Sequence, residues 1–96
     1  MVLGLLTFEL HIPHCRSLKE KRRVVRAVVE RIHHRMKASV IESDHHDLHQ
    51  RAEIAVAILT QNGTELDRMF QKLRTIVDQA EAQVSHWDER ILEEGQ

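Results

Sequence analysis

The chain has 96 residues, 42% of them hydrophobic and 30% charged, with a formal net charge of −1; this composition excludes a disordered tail and a membrane-spanning chain and fits one globular domain. The uncharged apolar opening, Met1 to Phe8, is far short of the ~20 residues that cross a bilayer. No basic segment precedes it as in a secretory leader, so no membrane contact and a cytoplasmic location are expected. A single cysteine, Cys15, excludes an internal disulfide and any multi-cysteine metal site within one chain.

Val2 to Ile12 alternates, with Leu6, Phe8, Leu10 and Ile12 on one face and Leu3, Leu5, Thr7 and Glu9 on the other. That period predicts a strand, ended by Pro13, whose nitrogen has no proton to donate. Ser17 followed by Glu20 spells a capping box. A helix therefore begins at Leu18, and Leu18, Val25, Val28, Val29, Ile32 and Met36 supply its buried stripe. Ser39 to Asp44 reads as a short strand, and Ala52 to Thr60 as a stronger one with Ala52, Ile54, Val56 and Ile58 inward. Asp44 to Gln50 joins the two as a hairpin loop. After the turn signal Gln61-Asn62-Gly63, Thr64 with Asp67 offers a cap for a second helix. Its face carries Leu66, Met69, Phe70, Leu73, Ile76, Val77 and Ala80 at offsets of three and four. Val84 to Leu92, with Trp87 and Ile91 among charges, reads as an edge strand.

The order βαββαβ predicts a single α+β domain over residues 1–96. Its form is the ferredoxin-like sandwich, a four-stranded antiparallel sheet with both helices on one face. The first and third strands are the most apolar and belong at the centre. Their second faces carry Leu3, Leu5, Ala55, Ala57 and Leu59, an apolar patch that a homodimer through the open sheet face would cover.

Charge is unevenly spread. Arg16 to Lys37 holds nine basic groups against Glu20 and Glu30, so this segment carries +7 and the remainder −8. Lys19, Arg22, Arg23 and Arg26 recur at offsets of three, four and seven and make one stripe on the first helix, extended by His33. Arg16 and Lys21 crowd the helix start, where exposed amides and cations together favour phosphate. Phosphate or nucleic-acid contact is the functional expectation, with Arg51 at its margin. The aromatics are only Phe8, Phe70 and Trp87, and no strand shows a pair of exposed rings for base stacking. RNA contact is therefore expected through backbone and shape.

Three of eight histidines fall in Asp44-His45-His46-Asp47-Leu48-His49. His45 and His49 would meet on one helical turn and could ligate a metal with an aspartate; on a hairpin loop, polar surface is the plainer reading, and no cofactor is expected. Cys15, beside Arg16 and His14, sits where a thiolate would be stabilised. The chain holds no Walker loop, dinucleotide fingerprint, nucleophile elbow or zincin motif, and an enzyme is not expected.

Arg16-Ser17-Leu18-Lys19-Glu20-Lys21-Arg22-Arg23-Val24, then Ser39-Val40-Ile41-Glu42, then Asp47-Leu48-His49-Gln50-Arg51-Ala52 resembles the YlxP-like family of small bacterial proteins of unknown function, over nearly the whole chain. The resemblance implies a ferredoxin-like fold and a bacterial cytoplasmic origin. Family genes often lie beside those for translation initiation and a ribosome-binding factor, which implies ribosomal RNA or a ribosomal subunit as partner. The shared pattern covers Ser17, Leu18, Lys19, Glu20, Lys21 and Arg22, then Asp47, Gln50 and Arg51; His49 stands where the family commonly has tryptophan. The expected function is a non-enzymatic RNA- or ribosome-associated binding module. The alternatives are a homodimeric module docking on an acidic partner, or a metal-binding regulator using the histidines.

Overall fold

The computed structural model describes residues 1–93; residues 94–96, the end of the domain expected over 1–96, lie outside the described residues. The elements follow as β1 (Val2–His11), α1 (Leu18–Met36), β2 (Ser39–Asp44), β3 (Arg51–Thr60), α2 (Gly63–Asp78) and β4 (Gln83–Glu93). They build one antiparallel sheet in the order β2-β3-β1-β4, with both helices on one side. This is the ferredoxin-like α+β fold that the element order predicts, with β1 and β3 central.

The inward residues of β1 and β3 share one buried cluster with Val25, Val28, Ile32 and Met36 of α1 and Leu66, Phe70, Leu73, Ile76 and Val77 of α2. Leu18 and Val29 are half-buried at the edges of the α1 stripe. The four valines of α1 each cost roughly half a kcal/mol in helix propensity. Burying a side chain of that size contributes about 1.5–3 kcal/mol, so packing decides the conformation. Gly4 faces α2, and a Cβ there would fall 2.5 Å from Leu66 Cδ1 and 2.9 Å from Phe70 Cζ. Its lack of a side chain lets α2 seat on β1.

The cap of α2 differs from expectation. Asn62, in extended backbone, accepts the Glu65 N–H on its side-chain oxygen at 2.9 Å, so the helix begins at Gly63 and Thr64 already lies in its first turn. Asparagine is among the best N-caps, and its place directly after the strand decides the start. On β4 the register with β1 shifts between Thr7 and Glu9. His86 takes φ 54° there, and Trp87 turns toward the helices. Its ring stacks on Phe8 at 5.3 Å between centroids, with the Arg74 guanidinium 4.8 Å from its own.

The other face of the sheet is uncovered, with Leu59 at 65% and Leu92 at 62% exposure. No helix among the described residues is long and apolar enough to cross a membrane.

Candidate functional site

The capping box forms as predicted. Ser17 Oγ accepts the Glu20 N–H at 3.2 Å, and Glu20 Oε2 accepts the Arg16 N–H at 3.0 Å. The box takes up the Glu20 amide with the protein's own serine, and the Lys21 amide bonds the Ser17 carbonyl. The Glu20 amide is thereby occupied, and the accessible positive charge runs from Arg16 and Lys19 along the outer face of the helix.

Lys21 is not on the surface. Its side chain is 1% exposed, with Nζ 2.7 Å from Glu42 Oε2 and donating to the His45 carbonyl oxygen at 2.6 Å. The carbonyl takes the aligned bond, and Glu42 Oε2 is held by charge without hydrogen-bond alignment. The reading of Lys21 as an anion contact is thereby corrected. Lys21 precedes Val25 by four residues and Val28 by seven, so it lies on the inward stripe, and its ammonium reaches out to anchor the hairpin. Gln50 completes the anchor, donating through Nε2 to the Pro13 and Cys15 carbonyls, each at 3.3 Å.

Lys19, Arg22, Arg23 and Arg26 are exposed on the outer face of α1. Together with Glu20, Ala27 and Glu30 they line a groove of about 550 Å³. None of the ion pairs among the described residues involves these four or Arg16. The exposed Arg16 flanks the groove at the helix start, and Arg23 also borders a second cavity, of about 530 Å³, which reaches Cys15 and Gln79.

Arg51 is placed elsewhere. It lies on the open sheet face, where its guanidinium donates to Glu9 Oε1 at 2.6 and 3.1 Å. The structure does not bring it to the α1 groove, and its expected place at the margin of the anion site is corrected. Glu9 gathers further groups: His45 Nε2 lies 3.7 Å from Oε1, and His86 Nδ1 lies 3.4 Å from Oε2. The Arg51 hydrogen bond holds the Glu9 carboxyl below its ordinary value, against the opposing effect of burial. Both imidazoles sit on left-handed backbone, φ 66° at His45 and 54° at His86. Sequence reasoning left Glu9 as an outward residue of β1; the signal was its place opposite the start of β3, within reach of Arg51.

The histidine segment is a turn closed by the Leu48 N–H on the His45 carbonyl at 3.1 Å, not a helical turn. His45 leans toward Glu9, while His46 Nε2 lies 3.1 Å from the Glu42 carbonyl oxygen. The pairing of His45 with His49 that a helical turn would give is not formed. Among the described residues no three His, Cys, Asp or Glu side chains converge closely enough to hold a metal ion. Cys15 is buried, and burial pushes its thiol up from the ordinary value, with the Glu20 charge adding to the shift. The thiolate expected beside Arg16 and His14 is therefore disfavoured.

No curated protein matches the chain. A family model described as "Protein of unknown function (DUF503)" matches residues 3–90, which takes in every element described above except Val2 at the start of β1 and the end of β4. The chain that carries this capped basic helix and lysine-anchored hairpin belongs to the DUF503 family of proteins of unknown function.

Proposed function

We propose that this protein is a non-enzymatic RNA-binding module associated with the ribosome, gripping phosphate through the outer face of α1. The observation that carries the reading is the stripe of Lys19, Arg22, Arg23 and Arg26, exposed and outside every ion pair among the described residues. Spaced three and four apart, the cations repel in neighbouring pairs, each costing about 0.2–0.5 kcal/mol. Glu20 and Glu30 border the stripe, yet neither forms an ion pair with it among the described residues. A polyanion converts that repulsion into attraction, and the groove between the side chains admits a backbone. The resemblance to the YlxP-like proteins, and the genes beside theirs, makes ribosomal RNA the first substrate to try.

Binding of purified ribosomal RNA, titrated with salt, tests this. Four phosphate contacts on single-stranded RNA predict a log–log slope of about −3. Reversing Lys19, Arg22, Arg23 and Arg26 to glutamate abolishes binding while the melting curve is retained, since none of the four belongs to the buried cluster. Binding that ignores salt, or survives the fourfold reversal, overturns the reading. Nuclease-resistant capture of an acidic protein by the same stripe would establish the protein-docking alternative instead.

A further inference from the structure

We propose that the cavity beside Arg23 receives one unstacked guanine base of the RNA whose phosphates lie on α1; the inference rests on the reading of α1 as an RNA-binding face. The cavity, of about 530 Å³, falls within the roughly 300–1,000 Å³ of small-ligand sites. It opens between α1, the connection leading into that helix and the turn that follows α2. Arg23 borders both this cavity and the α1 groove. A strand held by its phosphates in the groove therefore has the cavity one side chain away.

Two observations choose a base over a free anion or an apolar ligand. The first is split polarity. Arg23 and Arg31 line the cavity from α1, and neither forms an ion pair among the described residues. Glu20 and Glu81 line it too, and Glu81 is likewise outside every ion pair among the described residues. Helix α2 ends beside them with no basic residue in its last turn, so the partial negative charge of that helix end is unrelieved. Carboxylates repel a free phosphate, whereas an uncharged group rich in N–H donors meets them favourably. Guanine alone among the four bases presents two adjacent donors, N1–H and the 2-amino group, which match the two oxygens of one carboxylate. A guanidinium can lie flat on its ring. The second observation is the apolar part of the lining, where Val24, Val28 and Ala80 offer area that a flat ring removes from water. In a duplex the pairing edge of a base is already engaged, so the cavity selects a single-stranded segment.

Fluorescence anisotropy of short oligouridine RNAs that differ at one central position tests the proposal. With guanosine there, the wild-type chain is expected to bind at least about 10-fold more tightly than with an abasic unit, the effect of one bidentate pair. Inosine, which lacks the 2-amino group, is expected to lose a large part of that gain. Glu81→Ala is expected to bind the guanosine and abasic RNAs alike, with the salt slope set by α1 retained and the melting curve unchanged, since Glu81 is exposed. Equal wild-type affinity for guanosine and abasic RNA, or a guanine preference that Glu81→Ala retains, overturns the proposal. Competition by free guanosine monophosphate as strong as that by the RNA would show a nucleotide site independent of the groove, and overturns it as well. Base-independent binding with the expected salt dependence refutes this inference and leaves the RNA reading standing, whereas no binding of any oligonucleotide removes both.

Discussion

The ammonium of Lys21 lies 2.7 Å from Glu42 Oε2, with the lysine side chain 1% exposed and the glutamate at 19%. A charge so placed is costly unless it is matched, and the match fixes which loop packs on the first turns of α1. Lys21→Met leaves Glu42 facing an apolar group and frees the His45 carbonyl. The expected loss is about 3 kcal/mol, a fall in Tm of more than about 10 °C for a domain of this size. Adding Glu42→Leu to the same chain is expected to recover much of that loss, because two apolar groups avoid the desolvation that one orphaned charge suffers. Thermal melts of the single and double variants check both outcomes.

That pair also marks where reading the sequence stopped. The strands β1 and β3 were legible because ten residues of alternation leave one register for the core, and the start of α1 because a capping box is local. The stripe of α1, however, skips from Leu18 to Val25, and Lys21 fills the gap at helical spacing. Residue type argued for solvent, while periodicity argued for the interior. Periodicity won because Glu42, far along the chain, arrives on the neighbouring strand to receive the charge. Arg51 was misplaced for a related reason: its partner Glu9 is 42 residues away. The exposed stripe of Lys19, Arg22, Arg23 and Arg26 was legible because it needs only the helix itself.

Gly4 gives a packing prediction. A Cβ at this position meets Leu66 and Phe70 at distances no real contact shows, and both side chains are locked in the core. Gly4→Ala is expected to destabilise by about 1–3 kcal/mol, against whatever alanine gains by stiffening the unfolded chain. Gly63 is the internal comparison, since a Cβ there meets nothing within 4 Å. Gly63→Ala is expected to stabilise by a few tenths of a kcal/mol through the unfolded state. Denaturant titrations with unchanged m-values distinguish these outcomes.

Helix α1 ends on Lys37 at φ 53°, whose N–H donates to the His33 carbonyl at 2.8 Å. A side chain on left-handed backbone costs about 1 kcal/mol that glycine avoids. Lys37→Gly is expected to stabilise by about 0.5–1 kcal/mol and raise Tm by several degrees. Lys37→Val, β-branched at the same φ, is expected to lower it. An unchanged Tm in both variants would mean that the last turn of α1 is already frayed in solution.

Glu9 makes stability depend on acid. Its carboxyl is held below the ordinary value of 4.5, first by the Arg51 hydrogen bond and further by the charges of Arg51, His86 and His45. Because the folded form titrates lower than the unfolded one, the contribution is complete above about pH 4.5 and disappears as pH falls through the folded value. The facing groups set the size of the effect. Arg51 faces the carboxylate from β3, His45 from the hairpin and His86 from β4. The opposing carboxylate is Glu53, cross-strand to Glu9 and receiving the Ser43 hydroxyl at 2.7 Å. Glu9→Gln is expected to lower Tm near neutrality and to flatten its decline between about pH 5 and pH 3. Arg51→Met flattens the same window by removing the partner rather than the acid. A gap between wild-type and Glu9→Gln melts that stays constant down to about pH 3 would show that the carboxylate titrates alike in both states, and that the Arg51 contact adds no net stability.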